Sequence, residues 1–201
     1  MRRSFTLERN FSDIGQYQRY TGCEFDKFSL SVKPEGIVDC TFNLLGQGQS
    51  GATTVLAGAT YSAATTTSPF DGFSGSISEG GSPIALVTDV KLDLNNGLSA
   101  LFVVGSPQTI QPSIGRSNVT GTVTAYFQDV VLLNKFLNET VSSLSFTIGD
   151  GTNTITFYLP HIKYTGAPPN VAGEGPVTLS MPFQATLDAT TNTNIQITRS
   201  S

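Results

Sequence analysis

The sequence predicts a mainly β fold in which two antiparallel sheets pack as a β-sandwich or flattened barrel, with one flanking α-helix. Alternation of apolar and polar residues, which is typical of half-buried strands, is the dominant pattern along the chain. Helical spacing is rare, and a hydrophobic share of 38% is enough to build a core. Since a chain of 201 residues fits one domain, we expect residues 1–201 to fold as a single β domain.

The clearest element is a hairpin over residues 143–160. Setting Phe146 opposite Phe157 places the apolar side chains on one face and the threonines and serines on the other. This register leaves Gly151-Thr152 as a two-residue loop, and glycine in the first central position is what a type II′ turn requires. Pattern and turn chemistry therefore predict the same hairpin.

A second hairpin is predicted over residues 25–45, with a three-residue loop around Pro34 and Gly36. Pro34 fixes φ at the first turn position, and Gly36 accepts the left-handed conformation that closes the loop. The side chains expected on its inward face are Phe28, Leu30, Val32, Val38, Cys40 and Phe42. Cys23 lies too far along the strand to bridge Cys40, so we expect two free, packed thiols.

The remaining elements follow the same two periodicities. Further strands are predicted at residues 176–188, 3–10, 84–94, 99–104, 117–127 and 193–199. Helical spacing over residues 130–139, with Asp129 as the cap, predicts the flanking helix. A shorter helical turn is expected from Asp13 to Tyr20, with Gly22 as its stop signal.

Residues 46–82 depart from this pattern. Glycine, alanine, serine and threonine dominate the segment, and it carries no charge before Asp71. A structureless loop of this length inside a compact domain is uncommon unless it has a role. We expect either a mobile arm that becomes ordered against a neighbour or an edge hairpin with weak register.

The distribution of charge argues against a nucleic-acid-binding protein. Residues 1–33 carry six basic and four acidic groups, and the remainder carries five and eleven, which gives the net charge of −4. No stripe of lysine and arginine is present to bind phosphates. An acidic wall that DNA slides past remains compatible with these charges, because like charges repel.

The sequence suggests neither an enzyme nor a cofactor or metal site. His161 is the only histidine, and no second histidine or cysteine lies at metal-ligand spacing, so we expect it to be structural or on the surface. The carboxylates are scattered and form no acid/base pair. No apolar run approaches the ~18 residues of a membrane span, so no membrane partner is expected.

The segment 3–23, Arg-Ser-Phe-Thr-Leu-Glu-Arg-Asn-Phe-Ser-Asp-Ile-Gly-Gln-Tyr-Gln-Arg-Tyr-Thr-Gly-Cys, resembles the central block of major tail tube proteins of siphophages, the long-tailed bacteriophages. In that family a strand ending in Phe-x-Asp-Ile leads into a short helix and a Thr-Gly pair. A Pro-x-Gly-Ile-Val turn follows, here at residues 34–38. Segments 76–81, 93–98 and 121–127 follow in the family's order, so the resemblance covers most of residues 3–200.

The resemblance implies a structural virion protein whose copies close into hexameric rings. The rings stack into the tail tube, through which DNA passes without specific binding during ejection. The implied partners are further copies and other tail proteins, with assembly in the host bacterial cytoplasm, and no cofactor is implied. Members usually carry a further N-terminal portion before this block, so we expect a truncated chain, an interrupted prophage gene or a shorter variant.

Two surfaces become candidate sites under the tube interpretation. The polar face of the 25–45 hairpin is the candidate lumen, because the opposite face is apolar; its residues are Lys27, Ser29, Ser31, Asp39, Thr41 and Asn43. An ordinary solvent face is the alternative for this surface. The candidate inter-ring arm lies within residues 46–70, and its residues are Gln47, Gln49, Tyr61 and Phe70.

Two other functions compete with the tube. A carbohydrate- or host-binding β-sandwich of a virion tip or a secreted adhesin would need exposed aromatic residues to stack on sugar rings. The chain has no tryptophan, and most phenylalanines fall on strand faces predicted to point inward. A β-fold hydrolase is the weaker alternative, because the acid/base residues it needs are missing.

Overall fold

The computed structural model describes residues 2–84, 86–150, 152–170 and 173–200, and of Phe73 and Ser74 it describes the backbone alone. The chain folds into two compact units, each built from three separate segments. Unit 1 comprises Met1–Phe28, Phe42–Thr67 and Asn95–Ser117. Unit 2 comprises Ser29–Thr41, Ser68–Leu94 and Asn118–Ser201.

The sheet of unit 1 is built around the first part of a long strand, β2. Its strands are β1 (Phe5–Phe11), β2 (Gln16–Val32), β3 (Asp39–Leu45) and β4 (Gly48–Ala52), and β1, β3 and β4 all pair with β2. β1 and β4 flank the same residues of β2, so Arg19 lies opposite Glu8 on one side and Ser50 on the other. A separate two-stranded sheet consists of β8 (Ser99–Leu101) and β9 (Ile110–Ser113).

The helical turn expected from Asp13 to Tyr20 is wrong. Residues 12–15 form the turn between β1 and β2, and β2 begins at Gln16. Pairing with strands on both sides decides the conformation here, because tertiary context overrides a weak local propensity. Gly22 does not end a helix either. It adopts φ +62° within β2, where the register against β1 shifts, so it takes the left-handed position of a β-bulge.

Unit 2 contains most of the remaining strands. They are β5 (Asp71–Glu79), β6 (Ser82–Pro83), β7 (Val87–Asn95), β10 (Asn118–Tyr126), β11 (Ser142–Gly149), β12 (Thr154–Tyr164), β13 (Pro169–Asn170), β14 (Thr178–Ala185) and β15 (Gln196–Ser200). Their order is β7-β10-β14-β12-β11-β5-β6, with β13 added to β14 and β15 added to β12. The pairs whose register is described are antiparallel.

The core of unit 2 comes from alternate residues of five of these strands. Buried and half-buried positions alternate strictly along β14, from Thr178 to Ala185, as the sequence pattern predicts. The largest fully buried side chains are Leu92, Val119, Val123, Leu144, Leu159, Ile162, Leu179, Met181 and Phe183. Burial of these apolar side chains is the main source of stability for the unit.

The sheet of unit 2 curls. Three strands separate β7 from β11 in the order, yet Val90 of β7 and Phe146 of β11 line one cavity of about 360 Å³. The curl therefore brings two layers face to face, as in a flattened barrel, but no closed barrel forms among the described residues. The mainly β fold with one short helix is confirmed.

The hairpin over residues 143–160 is confirmed. Phe146 lies opposite Phe157, with the two rings stacked at 4.9 Å between centroids. Gly149 pairs with Thr154, and the Asp150 N–H donates to the Asn153 carbonyl at 3.1 Å, which leaves a two-residue loop. The conformation expected of Gly151 lies outside the described residues.

The turn of the second hairpin differs from the prediction. Gly36 has no left-handed φ, and β3 begins only at Asp39. The Val38 N–H donates to the Phe70 carbonyl at 2.9 Å, and Ile37 forms a bridge with Asp71. These bonds to the start of β5 compete with pairing to β2, so the connection is longer than three residues.

The flanking helix is shorter than predicted. It runs from Val131 to Leu137, and the Asp129 side chain accepts a hydrogen bond from the Val131 N–H at 2.9 Å. Glu139 adopts φ +49°, which is incompatible with continuing the helix. No residue of the helix is buried. Its Lys135 donates to the buried Glu79 carboxylate and, at 3.3 Å, to the Ser142 hydroxyl.

The segment 46–82 contains regular structure at both ends. β4 occupies residues 48–52 and pairs with β2, while β5 begins at Asp71 and pairs with β11. Between them, residues 53–70 form no strand or helix. The part of this segment that resembles an arm is therefore about half as long as the sequence indicates.

Candidate assembly surfaces

The candidate lumen residues lie on the polar side of β2 and β3. Lys27, Ser29, Asp39, Thr41 and Asn43 are exposed and Ser31 is half-buried. Within unit 2, the Ser29 hydroxyl donates to the Asp93 carboxylate at 2.7 Å, so the exposed side of β7 continues this polar surface. Asp93 lies on the polar side of its strand, as alternation with the buried Leu92 and Val90 indicates, but the candidate lumen set drawn from the sequence did not include it.

The opposite face of the hairpin is less buried than predicted. Leu30 is 4% exposed, but Phe42 is 51% exposed. Of the two cysteines, which are free as expected, Cys23 is buried and Cys40 is exposed, so the expectation of two packed thiols is wrong for Cys40. Among the described strands β3 pairs with β2 alone, so it lies at an edge of the sheet.

Aromatic rings form an exposed row in unit 1. Phe5, Phe25 and Phe42 stand edge to face, with centroids 5.4 and 5.5 Å apart, and Phe28 adjoins Phe42 at 5.0 Å. Phe5 and Phe25 are each 43% exposed. The prediction that most phenylalanines face inward is therefore wrong in unit 1, where the apolar row is available for contact with another molecule.

A second apolar surface lies at the connection between β8 and β9. Leu101, Phe102, Val103 and Val104 are consecutive and exposed, and Phe102 is 72% exposed. No charged residue occurs from 98 to 115. Four successive exposed apolar side chains are unusual on a soluble monomer and indicate a contact surface.

The four candidate arm residues do not lie together. Gln49 belongs to β4, opposite Tyr20, and the Gln47 N–H donates to the Thr21 carbonyl at 2.9 Å. Phe70 lies in unit 2 and bonds to Val38. Tyr61 is the member of the set that lies in the strandless segment, and it is 65% exposed.

Tyr61 is held by a carboxylate that sequence reasoning missed. Its hydroxyl donates to Glu8 of β1, which also accepts from the Arg19 guanidinium at 2.6 Å and from the Leu56 N–H at 3.3 Å. Hydrogen bonds from Tyr61 and Arg19 lower the pKa of Glu8, and the hydrogen bond to Glu8 raises the pKa of Tyr61. Finding this pair needs the β1–β2 register, which brings Glu8 and Arg19 opposite each other.

Open strand edges accompany these surfaces. In the described part of unit 1, β1 and β4 each pair with β2 alone, so one edge of each strand has backbone groups that no strand of the same unit takes. Such an edge favours pairing with another chain.

His161 has a structural setting. Its Nδ1 atom lies 2.5 Å from the Thr186 hydroxyl, and its carbonyl accepts from the Thr186 N–H at 2.9 Å. The described residues include no group of three or more histidine, cysteine or acidic side chains placed to hold a metal ion. They also contain no helix with the length and hydrophobicity that crossing a bilayer requires.

Open edges and exposed apolar strands indicate a protein that associates with other chains. The model of the phage tail tube protein family matches residues 2–185, which includes residues of every segment of both units. The chain therefore belongs to the phage tail tube protein family, a family of structural proteins of the virion tail that assemble with themselves and with other tail proteins. Comparison with curated proteins gives no match.

Proposed function

We propose that this chain is the ring-forming subunit of the tail tube. Six copies close into a ring, as the siphophage resemblance implies, and the rings stack into the conduit through which DNA leaves the virion. Assembly takes place in the host cytoplasm, and DNA passes the wall without specific binding. Family membership supports the structural role, and the open edges of β1 and β4 support the assembly of copies into a polymer.

The open edges carry the proposal. An unpaired edge is a hazard for a protein that stays monomeric, and natural proteins usually cover or charge it. Here β1 offers the uncharged and exposed Phe5 and Leu7 at such an edge. A ring that pairs each edge with the next copy removes the hazard and gains backbone hydrogen bonds.

Leu7→Lys is expected to prevent assembly, because a lysine on β1 places a charge where strands of two copies would pair. The wild-type protein should form rings or tubes at rising concentration, while the variant stays monomeric, as measured by sedimentation velocity and negative-stain microscopy. Leu187→Lys is the matched control, since Leu187 is also exposed but lies beyond the end of β14. A wild-type protein that remains monomeric and binds glycans, or a Leu7→Lys protein that assembles normally, would contradict the proposal.

The polar face of β2 and β3 is proposed as the lumen. Asp39→Lys should leave tubes intact but slow DNA release, because a lysine repeated around each ring attracts the phosphates that an aspartate repels. The rate of DNA release from virions carrying the variant tests this. Glu174→Lys, the same charge change in the exposed loop before β14, is the control. Equal release rates for Asp39→Lys and wild type would place residue 39 outside the lumen.

A further inference from the structure

Residues 53–67, which we call the strap, follow β4 and have almost no buried surface. Of these fifteen residues only Leu56 is half-buried, and the others are exposed. The strap has no charged side chain, and Tyr61 is its only aromatic residue. Since so little apolar area is covered, hydrogen bonds rather than hydrophobic packing must set its position.

The described hydrogen bonds between the strap and the β1–β2 hairpin converge on one pair of side chains, Glu8 and Arg19, which we call the clasp. Arg19 donates from Nη2 to the Thr54 carbonyl, and Glu8 Oε1 accepts from the Leu56 N–H and the Tyr61 hydroxyl. The strap therefore leaves β4, crosses Arg19 of β2 and reaches Glu8 of β1, lying over one face of the three strands.

The clasp is a well-formed binding site for this segment, because its carboxylate is buried and fully hydrogen-bonded. The Glu8 side chain is only 7% exposed although most residues of β1 are exposed. Its two oxygens are taken by a guanidinium, a hydroxyl and a backbone amide, which is the full set of donors that a buried carboxylate requires. The strap, by contrast, is almost fully exposed, and apart from its covalent connection to β4 it is held to its own copy by these few hydrogen bonds.

The length of the segment allows it to leave its own copy. Residues 53–70 separate the end of β4 from the start of β5. Eighteen residues span about 60 Å when extended, so a loop anchored at both ends reaches about 30 Å outward. Thr54 and Leu56 lie within four residues of the end of β4 and keep their bonds to Arg19 and Glu8 of their own copy, whereas Tyr61 lies nine residues beyond β4, near the middle of the loop. The Tyr61 hydroxyl of a neighbouring copy can make the same bond to Glu8, so this exchange loses no bond and is favoured once copies are held together at high local concentration.

We propose that in the assembled tube Tyr61 of one copy donates to Glu8 in the clasp of a neighbouring copy, and that the Tyr61–Glu8 bond within one chain belongs to the free subunit. This inference rests on the proposed assembly and names the contact through which the arm acts. Occupation of Glu8 by the subunit's own Tyr61 blocks the neighbour's Tyr61, so it also limits premature polymerisation.

Crosslinking between engineered cysteines tests the exchange. Asn10→Cys and Ser62→Cys place thiols beside Glu8 and Tyr61 without altering either residue, and Cys40→Ser removes the exposed native thiol. A short bis-maleimide should link the two cysteines within one chain in the dilute free subunit. In assembled tubes it should convert most of the protein into a ladder of covalently joined copies on denaturing gels. Variants that carry only one of the two engineered cysteines are the controls and should give no ladder.

The outcomes separate the two proposals. Tubes that yield only internally linked chains, or no link at all, would overturn the exchange while leaving the tube intact. Loss of the ladder on adding Glu8→Ala, in tubes that still form, would support the clasp as its docking site; a ladder that survives Glu8→Ala would overturn that assignment. If the wild-type protein forms no tubes at any concentration, the proposed function fails and the exchange fails with it.

Discussion

Phe183→Ala is expected to lower the free energy of unfolding by about 3–5 kcal/mol, the usual loss for a fully buried phenylalanine. Phe183 is 2% exposed and lies opposite Gly121, where a Cβ atom would be 2.4 Å from its ring. The ring therefore occupies the space that the glycine leaves. Rigid strands on both sides cannot close the cavity after truncation, and chemical denaturation followed by circular dichroism measures the loss.

Phe102→Ala is the matched control for this prediction. It removes the same atoms from a side chain that is 72% exposed, so stability should change by less than about 0.5 kcal/mol. A small effect of Phe183→Ala, comparable to that of Phe102→Ala, would show that the centre of unit 2 is not packed as described.

Lys135→Met is expected to destabilise the protein by about 3 kcal/mol, because it leaves the Glu79 carboxylate buried without its cation. The Glu79 side chain is 4% exposed and that of Lys135 is 24% exposed. Burial, and next the Glu79 charge, raise the pKa of the nearby Tyr164 hydroxyl, so Tyr164 stays neutral and supplies no positive charge in place of the lysine. Thermal and chemical unfolding of the variant measure the effect.

Lys163→Met tests whether the loss comes from burial. Lys163 pairs with Glu139 at 3.7 Å, but the two side chains are 46% and 84% exposed, so the change should cost at most about 1 kcal/mol. Adding Glu79→Leu to Lys135→Met should recover much of the stability, since no buried charge then remains. If the double variant is as unstable as Lys135→Met alone, helix packing rather than the ion pair is responsible.

Local sequence patterns were sufficient to predict some strands and turns but not others. The 143–160 hairpin follows from the sequence because strict alternation and a two-residue loop fix the same register. Residues 13–20 have no clear alternation, and the strand conformation from Gln16 onward depends on pairing with β1 and with β4, which lies about thirty residues later in the chain. Gly36 was misassigned because bonding of Val38 to Phe70 decides the turn, and no local signal reveals it.

The candidate surfaces show the same division. The polar side of β2 and β3 follows from alternation alone, and most of it is exposed as expected. Alternation shows which side of a strand is apolar, but it does not show whether another element covers that side. The exposure of Phe42 could therefore not be predicted from the sequence. The Glu8–Arg19 pair joins residues eleven positions apart and becomes visible only when the hairpin register is known.

The division of each unit into three chain segments has a consequence during synthesis. Unit 1 lacks its last segment until residue 117 has left the ribosome, and unit 2 lacks β14 and β15 until residues 178–200 have emerged. Contacts between distant segments also form slowly, since their loops must close first. Each unit of a nascent chain can therefore complete its fold only after its third segment has emerged, although β1 and β4, whose edges are open, are synthesised first.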